Sequence, residues 1–189
     1  EHYFVLSNVE RPLVMMLMGP TGTGKTQLAQ ELALQLWNDD NRALLFNMGS
    51  VTHKSSITGA PPGYVGYEDS SPILNFLSSN DSGIIILDEF EKVHESQDVQ
   101  GSFLEIFDKG TTSDNQGKKI NCRPFIFILT SNLGQNLSSD SSKQQVSNLL
   151  INEAGLKPEF IGRIDLIQVF NRINLESGRR IIKNYLLEY

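Results

Sequence analysis

The stretch GPTGTGKT, Gly19 to Thr26, brings together residue types that handle phosphate. It fits the pattern GxxxxGK[ST] in full, after an apolar run and before a helical one. Its three glycines let the backbone curl so that successive N–H groups face an anion, and the N-terminus of the following helix adds a favourable dipole. Lys25 supplies a point charge for the β and γ phosphates of a triphosphate, and the Thr26 hydroxyl is a hard oxygen ligand for Mg2+. The candidate nucleotide-binding set therefore runs Gly19, Pro20, Thr21, Gly22, Thr23, Gly24, Lys25, Thr26 and Gln27. The competing reading is a glycine-rich turn that fits the pattern by chance, and the strand-loop-helix context argues against it.

A second signal is independent of the first. The run IIILDE ends an apolar strand with Asp88 and Glu89 side by side. Asp88 at that exit is suited to hold Mg2+ through water, and Glu89 to orient and polarise the water that attacks a γ-phosphate. Standing alone, the pair could equally cap the next helix. The run FIFILTSN leaves Thr130, Ser131 and Asn132 at the end of another apolar strand, where the Asn132 amide could help Glu89 place that water. Ser and Asn after a strand also begin ordinary turns. In GLKPEFIGRID, Gly155 to Asp165, Arg163 is within reach of a surface pair with Asp165.

Alternating elements must position these groups. PLVMMLMG (Pro12 to Gly19), RALLFNM, SGIIILDE, RPFIFILTSN and DLIQVF read as five strands. KTQLAQELALQLW reads as a helix, with Leu28, Leu32 and Leu36 one turn apart and Ala29 and Ala33 beside them. A second helix runs from about Gln97 to Phe107 and ends at Gly110 in a left-handed cap. Asn136 to Asn148, NLSSDSSKQQVSN, is polar enough to read as a surface loop. The pattern predicts an α/β fold, helices sandwiching a mainly parallel sheet, with ligands at the carboxyl ends of the strands.

Composition bounds the partners. With 189 residues, 39% of them apolar, the chain makes one sizeable core, alone or with a small appendage. Sixteen basic against twenty-two acidic residues give a net charge of -6, which disfavours a phosphate-backbone nucleic-acid binder. The single cysteine, Cys122, excludes an internal disulfide and suits a reducing cytoplasm. His2, His53 and His94 lack metal-ligand spacing. No apolar run reaches the roughly 20 residues of a membrane helix. The chain opens without a methionine and closes in a helical pattern, so it reads as part of something longer.

The ordered set GPTGTGKT, GAPPGYVGY, ILDEFEK, TSNLG and KPEFIGRID closely resembles the Clp-type AAA+ ATPases, in particular the second, C-terminal ATPase module of ClpB-like disaggregases and unfoldases. The likeness spans about Pro12 to Phe170. It implies a P-loop NTPase fold, the three-layer αβα AAA+ large subdomain with a five-stranded sheet over 1–170, and the start of a small helical lid over 171–189. It also implies ATP and Mg2+ as cofactors, a hexameric ring in the full-length protein and polypeptide substrates threaded through its pore. By the same resemblance Gly19 to Thr26 form the Walker A loop, Asp88 and Glu89 the Walker B pair, Asn132 the first sensor, and Arg163 the arginine finger that reaches a neighbour's ATP.

GAPPGYVGY, Gly59 to Tyr67, packs three glycines, two prolines and two tyrosines into a segment that reads as a loop. In the family the matching loop, Gly63, Tyr64, Val65 and Gly66 here, projects into the pore and grips the threaded chain. A tyrosine ring is a broad amphipathic contact that needs no particular partner side chain. The bland alternative is a fixed turn with Tyr64 against its own domain. SDNQGKK, Ser113 to Lys119, matches a second, lower pore loop. The chain departs from the family pattern at NMGSVTHKSSITG, at SSPILNF and at Gly162, and stops before a sensor-two arginine. No peptidase-docking tripeptide follows Asn132. Two further readings stay open: a nucleotide-gated assembly or interaction module without threading, and the ATPase subunit of a Clp-type protease.

Overall fold

The computed structural model describes residues 10–51, 54–59, 71–95, 97–114, 116–138 and 140–187. Strand β1 (Leu13–Met18) leads through the glycine-rich loop into α1 (Lys25–Trp37), and β2 (Ala43–Asn47) follows. Short helices α2 (Ser55–Thr58) and α3 (Pro72–Ser79) precede β3 (Gly83–Asp88). A 3-10 turn, Phe90–Glu95, opens into α4 (Gln97–Lys109). The hairpin β4 (Thr111–Ser113) and β5 (Lys119–Asn121) leads to β6 (Phe125–Ser131). Then come α5 (Lys143–Ala154), α6 (Pro158–Ile161), β7 (Leu166–Val169) and α7 (Leu175–Leu187).

The five expected strands form one sheet in the order β2-β3-β6-β1-β7, and every pairing is parallel. Strands buried on both faces need apolar residues at every position, which is why β3 and β6 read as unbroken apolar runs. Alternate residues then face opposite layers. Ile85, Leu87, Phe125, Phe127 and Leu129 join Val14, Met16 and Met18 in the larger core, with Phe103, Phe107 and Leu150 from α4 and α5. Ile84, Ile86, Ile126 and Ile128 turn the other way, onto Ala29 and Ala33 of α1. The two alanines let α1 lie close to the sheet, whereas Leu28 is 50% exposed, so the helix face is set by the small residues and not by that leucine.

Two expectations are corrected. The polar stretch 136–148 is not all loop: α5 starts at Lys143, nucleated by a capping box in which the Ser142 hydroxyl accepts from the Gln145 N–H and the Gln145 side chain accepts from the Ser142 N–H. Arg163 does not pair with Asp165. It pairs with Asp108 on α4, while Asp165 takes Arg11 at 2.5 Å and accepts the Val14 N–H at 2.9 Å, tying the entry of β7 to β1. The cap at Gly110 is as expected, with φ 62° and its N–H donating to Ile106 at 2.9 Å.

Candidate functional site

The site gathers at the carboxyl ends of β1, β3 and β6, which are adjacent in the sheet. Gly19, at φ 129°, turns the chain out of β1 and donates its N–H to Ser131. A Cβ there would stand 2.3 Å from the Phe170 carbonyl oxygen, so the position excludes any side chain. Gly22 and Gly24 also have positive φ, but nothing lies within 4 Å of where their Cβ atoms would be. Their glycines leave the face of the loop open. The Thr23 hydroxyl braces the curl by donating to the Pro20 carbonyl at 2.9 Å, and the first turn of α1 receives no side-chain cap. Uncapped N–H groups at a helix start are an anion site.

Lys25 is only 6% exposed, and its Nζ donates to the carbonyls of Gly19 at 2.7 Å and Pro20 at 2.9 Å and to Asn132 Oδ1 at 3.3 Å. Burial pushes its pKa below the ordinary lysine value, opposed by the negative charges of Glu91 and Asp88. Thr26 donates to Asp88 Oδ1 at 3.0 Å, and Thr130 donates to the same oxygen at 2.5 Å. A hydroxyl and a carboxylate oxygen in contact at the foot of the loop form a hard-oxygen pair suited to Mg2+. Glu89 takes the left-handed conformation, φ 57°, uncommon for a residue with a side chain, and its N–H donates to the Thr130 hydroxyl at 3.2 Å. Its carboxylate lies beside Gly49, where a Cβ would come within 3.3 Å of Oε2. Asn132 Oδ1 also accepts from Thr21 at 3.2 Å.

Lys25, Thr26, Asp88, Glu89 and Asn132, predicted from three separate motifs, thus share one locus. Gln27 is exposed on α1. Arg163 is elsewhere, on the turn after α6, its guanidinium held by Asp108 at the protein surface. Gly63, Tyr64, Val65 and Gly66 lie outside the described residues.

Two features escaped the sequence reading. Glu91 accepts the Asn132 N–H at 3.2 Å, a contact across 41 residues that no local pattern signals. A cavity of about 340 Å³ opens beside the loop, lined by Pro20, Thr21, Gly22, Thr23, Gln135, Arg172 and Ile173. Gln135 and Arg172 come from segments whose sequence carries no phosphate-binding signature.

No helix among the described residues is long and apolar enough to cross a membrane. The family model described as AAA domain (Cdc48 subfamily) matches residues 11–167. The chaperone protein ClpB of Malacoplasma penetrans is 37% identical over 185 residues, covering 96% of this chain and 26% of that protein. The chloroplastic chaperone protein ClpB2 of Oryza sativa subsp. japonica is 36% identical over 193 residues, covering 94% of this chain and 20% of that protein. Among solved structures, the closed state of Hsp104 with ATPγS and FITC casein superimposes with a TM-score of 0.83 at 31% identity, over 96% of this chain and 33% of that one. The Hsp104-ADP complex of S. cerevisiae gives 0.80 at 29% identity. The chain spans about a quarter of the length of the curated relatives it matches. With the phosphate loop, the acidic strand end and the five-stranded αβα sheet in place, the chain belongs to the AAA domains of the Cdc48 subfamily, among relatives that are ClpB and Hsp104 chaperones.

Proposed function

We propose that this chain is the ATP-hydrolysing module, the C-terminal one of two, of a ClpB-like protein disaggregase or unfoldase. The observation that carries the reading is the convergence of two hydrogen-bonded sets at the same strand ends, Lys25 with Asn132 and Thr26 with Asp88, the second continuing through Thr130 to the Glu89 N–H. Residues 1–170 are the nucleotide-binding subdomain, and 171–189 begin a helical lid. Exposed Leu175, Ile181, Ile182 and Leu186 on α7 suit a helix whose partners belong to such a lid.

The chemistry is positional and electrostatic. The open face of Gly22 and Gly24 and the uncapped start of α1 receive the phosphates. Lys25 leaves the Gly19 and Pro20 carbonyls for the β and γ oxygens. Thr26 and Asp88 would hold Mg2+, which when bound neutralises charge on those oxygens. Glu89 orients the attacking water and accepts its proton, and Asn132 fixes the water's position from the neighbouring strand. Arg163 of one subunit stabilises the transferring phosphoryl at the next, within a hexamer. Tyr64, between Gly63 and Gly66, grips the polypeptide in the pore. The cytoplasm is the compartment in which such a protein works.

The test is Glu89→Gln in the full-length protein. It should keep ATP affinity within about twofold and lower turnover at least about a hundredfold, because an amide cannot take the proton. Turnover at the wild-type rate would refute the assignment.

A further inference from the structure

Asn132 can act on a terminal phosphate only if its main chain is held still, and the means of holding it lies on a different strand. Phe90, fully buried, anchors the 3-10 turn after β3, stacking on Phe160 at 5.2 Å between ring centres and meeting Phe103 edge-on at 5.8 Å. The next residue, Glu91, is thereby aimed back across the sheet ends. Its Oε1 accepts the Asn132 N–H at 3.2 Å. Two other ties join the same ends, Thr130 to Asp88 and the Glu89 N–H to Thr130, but both stop at residue 130. The Glu91 tie is the one that reaches the residue facing the loop.

The second oxygen of Glu91 sharpens the point. Oε2 is buried and has no hydrogen-bond partner among the described residues. A carboxylate oxygen buried without a partner is unfavourable, and such groups persist where a functional constraint holds them. Asn132 meanwhile spends its Oδ1 on Thr21 and Lys25, while its Nδ2 makes no hydrogen bond among the described residues. The side chain is therefore set with its donor end uncommitted.

We infer that Glu91 is a positioning residue for ATP hydrolysis: its carboxylate pins the Asn132 main chain, so that the Asn132 amide keeps its donor end toward the γ-phosphate and the attacking water. The inference rests on the ATPase reading, but its first readout does not.

Two substitutions separate reach from charge. Glu91→Asp keeps the charge and withdraws the oxygen by one methylene; Glu91→Gln keeps the reach and removes the charge. Amide hydrogen exchange at Asn132, read by NMR on this chain without nucleotide, should speed up about tenfold or more in Glu91→Asp and stay within about threefold of wild type in Glu91→Gln. In the full-length protein, Glu91→Asp should lower kcat for ATP about tenfold with KM within twofold, and Glu91→Gln should retain kcat within about threefold. In an Asn132→Ala background, Glu91→Asp should cost less than about a further twofold, because its effect passes through Asn132. Unchanged exchange at Asn132 in Glu91→Asp would overturn the proposal. A kcat lost in Glu91→Gln but kept in Glu91→Asp would also overturn it, since charge on Lys25 would then be the cause. A wild-type protein that exchanges as expected but hydrolyses no ATP would refute the function and leave the Glu91–Asn132 tie standing.

Discussion

Lys25 is buried, its pKa is pushed down by that burial, and two peptide carbonyls and an amide oxygen hold its ammonium. A charge kept among peptide carbonyls with little exposure needs a reason, and phosphate is the one the surrounding glycines fit. Ligand-linked stability provides the check. ADP at about a hundred times its Kd should stabilise the wild-type chain by about 2.7 kcal/mol. Lys25→Ala should lose most of that shift in a thermal melt with and without nucleotide, while an equal shift in both proteins would remove Lys25 from the site. At this scale the sequence was most legible where chemistry is local. The spacing of Gly19, Gly22, Gly24, Lys25 and Thr26 is itself the device, because consecutive backbone groups build the cradle. Glu91 was invisible for the opposite reason: its partner is 41 residues away, and only the sheet brings them together.

Among the elements, β3 and β6 could be read because burial on both faces forces continuous apolar runs, and each of the two ends at polar residues of the site. The polar stretch before α5 misled because serines and glutamines were weighed by composition. The signal that would have found the helix was positional, Ser142 followed three residues later by Gln145. Helix α6 is only Pro158–Ile161, too short to stand by propensity, and it is held by Phe160, which is 1% exposed between Phe90 and Phe107. Phe160→Ala should destabilise the chain by about 3–5 kcal/mol in denaturant titration. The loss should spread to the Phe90–Glu95 turn, which shares the ring stack. A cost below about 1 kcal/mol would mean that α6 is fixed by other contacts.

At the scale of the whole molecule, the proposed function gives a role to a residue that the fold keeps away from its own phosphate loop. Arg163 sits on the surface against Asp108, an exposed pair of the kind that adds little stability. If Arg163 serves a neighbour's ATP in a ring, Arg163→Ala in the full-length protein should lower turnover about a thousandfold with binding retained. Asp108→Asn weakens the same pair from the other side and should leave turnover within about twofold. Equal losses would assign the arginine to the surface pair alone. Leu175, Ile181, Ile182 and Leu186 stand exposed along α7, as the proposed lid reading expects of a helix with apolar residues to cover.

Under the proposed function, the carbonyl grip on Lys25 bears on how the site resets between nucleotides. Gly19 and Pro20 offer the ammonium an internal substitute for the departing anion. The loop therefore need not come apart between cycles. Nucleotide entry and exit become an exchange between two ordered sets of oxygens, and the affinity a binding experiment reads is the difference between them.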